Sequence, residues 1–279
     1  MSNSFDNFEE FKDWVYKNSE DVGIKPQQEF KGYAIQYNIE LGNVEKNLEK
    51  VKNYLKLVDK KSLVLLPELF SSGFIEDRDK LIEAGKKTLE FIKEYLQPLS
   101  KENSLTIVGT FVYSEDKNIF NRAFIVDNGI LIFNRDKYYL FKLTDEDKTY
   151  TRGVKNFGAV NTSKGKLGIM ICYELRFPDI ASEFFKQKID ILLIPAEWGR
   201  KRKEHLKCLS KARAIEQRAF TITANATGTT GDIEMAGASG IYSPWGDELA
   251  YIDEEEGLIS ADIDLREVEK VERYFRGRD

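Results

Sequence analysis

The chain has 279 residues, of which 42% are hydrophobic and 12% aromatic, so it can build a sizeable core in one large domain or two small ones. Its 42 basic and 47 acidic residues leave a formal charge of -5, which argues against nucleic acid or an anionic membrane as a partner and favours a small-molecule ligand. Its two cysteines do not form a disulfide framework, and no apolar stretch approaches the length that spans a bilayer. These features predict a soluble, cytoplasmic protein.

The first part of the chain, residues 1–29, is acidic and polar and lacks the apolar segment and cleavage site of a signal peptide. Four apolar residues recur in it at helical spacing: Phe8, Phe11, Trp14 and Val15. This spacing predicts a helix docked on the domain surface in preference to an arm that binds a partner. We therefore divide the chain into a helical N-terminal extension, 1–29, and a single domain, 30–279.

Strand-like and helix-like segments alternate after this extension. In chain order they are strand 33–37, a helix capped by Asn43, strand 62–66, a helix around Ile92, strand 105–109, and a hairpin of 119–126 with 129–133. The alternation predicts parallel, buried strands, and the turn Asp127-Asn128-Gly129 adds an antiparallel hairpin. The predicted sheet is therefore mixed.

The second half of the chain repeats this scheme. Its predicted elements are strand 167–171, helix 178–185, strand 189–194, helix 201–216, strand 220–224, the antiparallel pair 237–242 and 248–252, strand 258–263, and a closing helix. No linker separates the halves, which predicts one α/β domain with two mixed sheets and internal pseudo-symmetry.

Cys172 stands where an apolar strand runs into a polar turn, and ligand crevices of open α/β sheets form at such strand ends. The residue is either a displayed nucleophile or a buried thiol that packs as a small hydrophobe. Cys208 lies in a helical pattern with no strand leading to it, so we interpret it as structural.

Three charged residues occupy comparable positions, namely Glu68, Lys137 and Glu146. Taken singly, each is typical of a cap or an ion pair. The single histidine, His205, begins a charged helix and does not suggest a buried Cys–His pair. A carboxylate can replace the imidazole as general base, and a lysine can stabilise the tetrahedral oxyanion. Glutamate, lysine and cysteine together suffice for acyl transfer from an amide or a nitrile.

Three segments in this order resemble the glutamate, lysine and cysteine motifs of the nitrilase superfamily of carbon-nitrogen hydrolases: 65–70 (LLPELF), 136–141 (DKYYLF) and 168–178 (GIMICYELRFP). The resemblance implies a four-layer αββα sandwich that pairs into a homodimer and needs no metal or organic cofactor. It also implies the catalytic roles. Glu68 is the general base and acid, Lys137 stabilises the oxyanion with the backbone N–H of Tyr173, Cys172 is the nucleophile, and Glu146 orients the lysine and the substrate.

Within the superfamily, segments 66–74, 142–146 and 172–177 are most similar to bacterial omega-amidases, which hydrolyse the terminal amide of 2-oxoglutaramate or 2-oxosuccinamate. Such a site must hold a distal carboxylate, and Arg176 offers a fork for it, unless it forms an ion pair with Glu174 or Asp179. Three aromatic residues either wall the pocket or belong to the core: Phe74, Tyr173 and Trp198.

One departure concerns Glu197, because omega-amidase relatives commonly have asparagine there. A carboxylate in the pocket would repel a dicarboxylate, so either Glu197 points away or the substrate differs. The basic segment 200–203 (RKRK) is interpreted as a solvated helix start and not as a nucleic-acid patch. Three alternative functions stay open: an amidase for deaminated glutathione or another acyl amide, a true nitrilase, and a non-catalytic binding protein.

Overall fold

The computed structural model describes residues 29–275, apart from the side chain of Asn134. The predicted N-terminal helix lies outside the described residues. The strands are β1 Glu29–Gln36, β2 Leu63–Leu65, β3 Thr106–Glu115, β4 Asn118–Asp127, β5 Ile130–Asp136, β6 Val160–Thr162, β7 Gly165–Ile169, β8 Ile191–Ala196, β9 Phe220–Asn225, β10 Thr229–Thr230, β11 Ile233–Glu234, β12 Ser239–Tyr242, β13 Glu248–Ile252 and β14 Gly257–Asp264.

The helices alternate with these strands as the sequence pattern predicts. They are α1 Val44–Leu55, α2 Arg78–Phe91, α3 Gln97–Asn103, α4 Glu146–Thr149, α5 Pro178–Gln187, α6 Lys203–Gln217 and α7 Arg266–Phe275. The segment predicted as one helix around Ile92 is instead a continuous run of α2, the π-helical turn Ile92–Leu96 and α3. Within residues 29–275, no helix is long and apolar enough to cross a membrane.

Twelve of these strands form two six-stranded sheets, in the orders β14-β1-β2-β3-β4-β5 and β6-β7-β8-β9-β12-β13, and β10 pairs with β11 separately. In both sheets an antiparallel edge strand precedes three parallel strands, and two antiparallel strands follow. The two halves therefore share one topology, which confirms the predicted mixed sheets and internal pseudo-symmetry.

The two sheets pack face to face, and helices cover their outer faces. Buried residues of the first sheet, such as Ala34 and Leu65, share a cluster with Ile169 and Ile222 of the second. A Cβ atom at Gly32 of β1 would lie 2.9 Å from the Cδ1 atom of Ile222 on β9, so the inner faces of the two sheets meet closely. With α1 and α2 outside one sheet and α5 and α6 outside the other, the predicted four-layer αββα sandwich is confirmed.

The sequence predicted the turn between β4 and β5, but it did not predict three of the shortest strands. The hairpin turn between β4 and β5 has Asn128 at φ 48° and Gly129 at φ 84°, as a two-residue turn of type I′ requires. Strands β6, β10 and β11 were missed because they are two or three residues long and, unlike the equally short β2, contain no apolar run.

Candidate active site

Glu68 follows β2 and is fully buried. Its backbone N–H donates to the carbonyl of Ala196 at 3.3 Å, which ties the end of β2 to the end of β8 in the other sheet. Its Oε1 atom accepts hydrogen bonds from Lys137 Nζ at 2.7 Å and Asn121 Nδ2 at 2.8 Å. Its Oε2 atom accepts the backbone N–H of Glu197 at 3.1 Å. Donors from three segments thus fix the orientation of this carboxylate.

Lys137 follows β5, and its ammonium lies between two carboxylates. The Nζ atom is 2.7 Å from Glu68 Oε1 and 2.8 and 2.9 Å from the two oxygens of Glu146. Burial lowers the pKa of Lys137, because it disfavours the charged ammonium. The negative charges of Glu146 and then Glu68 outweigh this effect, so the pKa of Lys137 is raised well above that of free lysine. The site therefore keeps a fixed positive charge at neutral pH.

Glu146 begins α4 and is buried. Besides Lys137, its Oε2 atom accepts the backbone N–H of Phe141 at 2.6 Å. Burial raises the pKa of Glu146, and Lys137 works in the opposite direction. The side chain thus anchors the lysine from the side away from Glu68.

Cys172 follows β7 and has a positive φ of 47°, which is unusual for a residue with a side chain. Such strain occurs where a sharp turn displays a side chain at a functional site. Burial, followed by the negative charge of Glu68, raises the pKa of the thiol, and Lys137 only partly offsets this. The resting thiol is therefore protonated at neutral pH, and the Glu68 carboxylate lies close enough to influence its pKa.

A buried ion pair that we did not foresee joins the lysine and cysteine segments. Both Glu174 oxygens accept the guanidinium of Arg135, one of them at 2.9 Å. The same carboxylate accepts the backbone N–H groups of Tyr138 and Ile171, each at 2.8 Å. These residues adjoin Lys137 and Cys172, so Glu174 sets the distance between the two segments.

A cavity of about 500 Å³ opens onto these side chains, and Glu68, Lys137, Glu146, Cys172, Phe74 and Tyr150 are among its lining residues. The Phe74 ring packs edge-on against Tyr150 at 5.9 Å, and Lys137 Nζ lies 5.7 Å from its centre. Tyr173 and Trp198 line an adjoining recess that shares Cys172 with the cavity. The structure thus brings all three predicted aromatic residues to the site.

Arg176 makes neither of the ion pairs that we considered. The Glu174 carboxylate forms an ion pair with Arg135, and Asp179 forms one with Lys155 at 3.1 Å. The guanidinium of Arg176 instead lies over the ring of Trp198 at 4.6 Å and contacts His205 Nδ1 at 3.0 Å. It lines the recess beside Cys172.

A second arginine, Arg202, lines both the recess and the main cavity. It rests over the Phe141 ring at 5.1 Å, and no acid of the described residues forms a salt bridge with it. Burial first, and then the charge of Arg202, lowers the pKa of Arg176, so the two guanidinium groups lie within electrostatic reach of each other. Segment 200–203 does lead into α6, and Arg200 and Lys203 pair with the exposed Glu254, whereas the partly exposed Arg202 lines the cavity.

Glu197 does not point away from the site. It lines the cavity and the recess, its side chain is buried, and neither carboxylate oxygen has a hydrogen-bond partner in the described part of the chain. Cys208 is exposed on α6 and is not among the residues that line the cavity or the recess.

The family model of carbon-nitrogen hydrolases matches residues 34–273 of the chain. The chain belongs to the carbon-nitrogen hydrolase family. This carbon-nitrogen hydrolase is similar to the 2-oxoglutaramate amidase of Bacillus subtilis (strain 168), at 33% identity over 241 residues, with 85% of this chain and 92% of the relative covered. It is also similar to the omega-amidase NIT2 of Xenopus tropicalis, at 29% identity, with 78% of this chain and 83% of the relative covered.

A solved structure of a CN-hydrolase superfamily protein from Xanthomonas campestris matches this carbon-nitrogen hydrolase with a TM-score of 0.80 and 25% identity. The match covers 89% of this chain and 95% of that one. Fold and family together identify the protein as an enzyme of the carbon-nitrogen hydrolase family, as the resemblance to the nitrilase superfamily implied. A non-catalytic binding protein is thereby set aside.

Proposed function

We propose that this enzyme removes the terminal amide of a short dicarboxylic acid monoamide, 2-oxoglutaramate or 2-oxosuccinamate, through a thioester on Cys172. The observation that carries the proposal is the presence of two arginines without an acidic partner, Arg176 and Arg202, in a recess that adjoins the thiol. Guanidinium groups held this way favour a carboxylate, which they can bind through paired hydrogen bonds. The relative from Bacillus subtilis named 2-oxoglutaramate amidase supports the same substrate class.

In the first half of the reaction, Glu68 takes the thiol proton as Cys172 attacks the amide carbon. The developing oxyanion is stabilised by Lys137, whose charge is held in place by Glu146, and by the backbone N–H of Tyr173. Glu68 then returns its proton to the amide nitrogen, and ammonia leaves as the thioester forms. One carboxylate serves as base and then as acid, which suits its position beside the thiol.

In the second half, Glu68 removes a proton from a water molecule that attacks the thioester carbon. Lys137 again stabilises the oxyanion, and the tetrahedral intermediate expels the Cys172 thiolate. The thiolate recovers the proton from Glu68, and the dicarboxylate leaves. The raised pKa of the thiol favours this return to the protonated resting state.

The size of the cavity favours a second candidate. At about 500 Å³, it leaves room beyond a five-carbon acyl group. A larger acyl amide such as deaminated glutathione, which also ends in carboxylates, would fill more of that space. Relative turnover of this tripeptide analogue and 2-oxoglutaramate separates the two candidates.

The proposal is tested by measuring ammonia release from 2-oxoglutaramate, deaminated glutathione, and a neutral primary amide such as butyramide. We expect the wild type to turn over 2-oxoglutaramate with the highest kcat/KM. Hydroxylamine added during turnover should trap the acyl group as a hydroxamate, because it competes with water for the thioester.

The matched variants are Cys172→Ala and Cys208→Ala, since the second removes an exposed thiol outside the site. Cys172→Ala should abolish ammonia release and hydroxamate formation, and Cys208→Ala should keep both. Full activity in Cys172→Ala would refute the thioester mechanism. Equal turnover of butyramide and 2-oxoglutaramate would refute the proposed substrate class.

A further inference from the structure

Glu197 is a buried acid of the catalytic cavity to which the proposed mechanism assigns no role. Its backbone N–H is engaged by Glu68 Oε2 at 3.1 Å, which fixes the residue beside the reacting groups. Its side chain is 8% exposed, and both carboxylate oxygens are fully enclosed without a hydrogen-bond partner in the described residues. Gly73 leaves room for this side chain, because a Cβ atom there would lie 3.4 Å from Glu197 Oε1.

Within residues 29–275, no cation forms a salt bridge with the Glu197 carboxylate. The Lys137 ammonium is held by Glu68 and Glu146, and no salt bridge within 4.0 Å joins Glu197 to either neighbouring arginine. An enclosed carboxylate without a partner is strongly disfavoured, and two further carboxylates lie nearby. Burial, and then Glu68, accordingly raises the pKa of Glu197 well above its ordinary value. The nearby Thr230 hydroxyl works in the opposite direction, but it donates its hydrogen bond to the carbonyl of Ile39 and not to the carboxylate.

A second enclosed polar group faces the same cavity. The Tyr150 hydroxyl is buried and has no hydrogen-bond partner in the described part of the chain. Burial, followed by the charges of Glu146 and Glu197, raises the pKa of this phenol, so it keeps its proton. The cavity therefore carries two O–H donors without acceptors, one from each side chain.

We propose that Glu197, as a neutral carboxylic acid, and Tyr150 donate hydrogen bonds to an uncharged oxygen on the acyl chain of the substrate, such as a 2-oxo group. The inference rests on the proposed omega-amidase function and specifies which acyl chain the site selects. A carbonyl oxygen has two lone pairs and accepts both donors. A neutral acid does not repel the distal carboxylate, which removes the conflict that the sequence raised.

The test compares two substrates that differ only in this oxygen, 2-oxoglutaramate and glutaramate. We expect the wild type to favour 2-oxoglutaramate in kcat/KM by about tenfold or more, since glutaramate leaves two enclosed donors unpaired. Glu197→Ala should lower kcat/KM more for 2-oxoglutaramate than for glutaramate, so that their ratio approaches one. Tyr150→Phe should shrink the ratio in the same direction.

Glu197→Gln separates a hydrogen-bonding role from a structural one. The glutamine amide is neutral and retains a donor, so this variant should keep a preference for 2-oxoglutaramate that Glu197→Ala has lost. Glu204→Ala, which removes an exposed glutamate of α6, is the matched control and should keep the wild-type ratio. Thermal unfolding of each variant shows whether it is folded.

Three results would overturn the inference. The first is a wild-type ratio near one, and the second is an equal loss on both substrates in Glu197→Ala. The third is a wild-type preference for L-glutamine that Glu197→Gln abolishes, because an ionised Glu197 would attract the ammonium that replaces the oxo group. If the wild type hydrolysed neither 2-oxoglutaramate nor glutaramate, the proposed function itself would fail.

Discussion

At the scale of single residues, charge is distributed unevenly around Cys172. Lys137 is enclosed by the carboxylates of Glu68 and Glu146, at 2.7 to 2.9 Å. Arg176 and Arg202 lie in the recess on the other side without an acidic partner among the described residues. The lysine charge is thus paired with two carboxylates, whereas the charges of the two arginines are not paired with an acid of the described residues, which is the basis of the proposed substrate class.

Replacing Arg202 by alanine should weaken recognition of the distal carboxylate. Loss of a charge-assisted interaction of about 1.5–3 kcal/mol lowers kcat/KM for 2-oxoglutaramate by roughly 10- to 100-fold, mainly through KM. The control is Arg200→Ala, since Arg200 lies outside the recess and pairs with Glu254 at 3.1 Å. Steady-state kinetics of ammonia release give kcat and KM for both variants. An unchanged KM in Arg202→Ala would contradict the assignment.

Replacing Glu146 by glutamine should lower kcat with little change in KM. Lys137 would lose one of its two carboxylate anchors, and a small displacement of a catalytic group costs about 100-fold. The matched variant is Glu204→Gln, which changes an exposed glutamate in the same way. If kcat survived in Glu146→Gln, the positioning role of Glu146 would be wrong.

At the scale of elements, the site depends on contacts between segments that are far apart in the chain. Glu174 holds β5 and the turn after β7 together through Arg135 and three backbone N–H groups. Asn121 of β4 reaches Glu68 after β2 at 2.8 Å. The catalytic side chains are therefore placed by buried polar contacts as well as by their own strands.

Glu174→Gln should destabilise the fold, because it leaves the Arg135 guanidinium buried beside a neutral amide. Removing one partner of a buried pair costs about 3–5 kcal/mol. Urea unfolding measures this loss, with Glu183→Gln as the control, since Glu183 pairs with Lys186 on the exposed face of α5. A loss no larger than that of the control would show that the pair is dispensable.

Gly85→Ala should destabilise the protein although alanine favours helices. Gly85 lies in α2, and a Cβ atom there would come within 2.4 Å of the Val112 carbonyl oxygen on β3. Overpacking of this kind costs about 1–3 kcal/mol, which exceeds the helix propensity gained. Lys86→Ala, at an exposed position of α2, should show no such loss in urea unfolding. A more stable Gly85→Ala would mean that α2 can move away from β3.

At the scale of the whole molecule, two similar sheets meet face to face and place the ends of β2, β7 and β8 at one edge. Glu68 follows the first of these strands, Cys172 the second and Glu197 the third. The hydrogen bond between the Glu68 amide and the Ala196 carbonyl crosses from one sheet to the other. The cavity therefore exists only in the assembled sandwich.

The expected homodimer and cytoplasmic location stay predictions. Light scattering of the full chain checks whether it is a dimer.

Glu197 should make the stability of the whole protein depend on pH. The pKa of Glu197 in the folded protein is raised above the ordinary value of 4.5. Its contribution to the free energy of unfolding is therefore fully present below about pH 4.5 and is lost as pH rises through the folded-state pKa. Over that window the wild type should lose up to about 1.4 kcal/mol per pH unit relative to Glu197→Gln. Urea unfolding of both proteins from pH 4 to 8 measures the difference. Parallel pH profiles would mean that Glu197 is ionised in the folded protein.

The sequence alone determined the parts of this protein that depend on local order. Apolar runs ending in charge located Glu68, Lys137 and Cys172 at strand ends, and motif order identified the family. Repetition of strand and helix signals predicted two mixed sheets. These features follow from short-range periodicity, which each segment carries by itself.

The tertiary structure decided which side chains face one another. Glu174 pairs with Arg135 and not with Arg176, Arg202 turns into the cavity from a basic segment that resembles a solvated surface, and Glu197 points inward without a partner. Each outcome depends on segments that are distant in the chain and meet only when the sheets pack. Because the pKa of a buried acid is set by those neighbours, the raised pKa of Glu197 could not be inferred from its own segment.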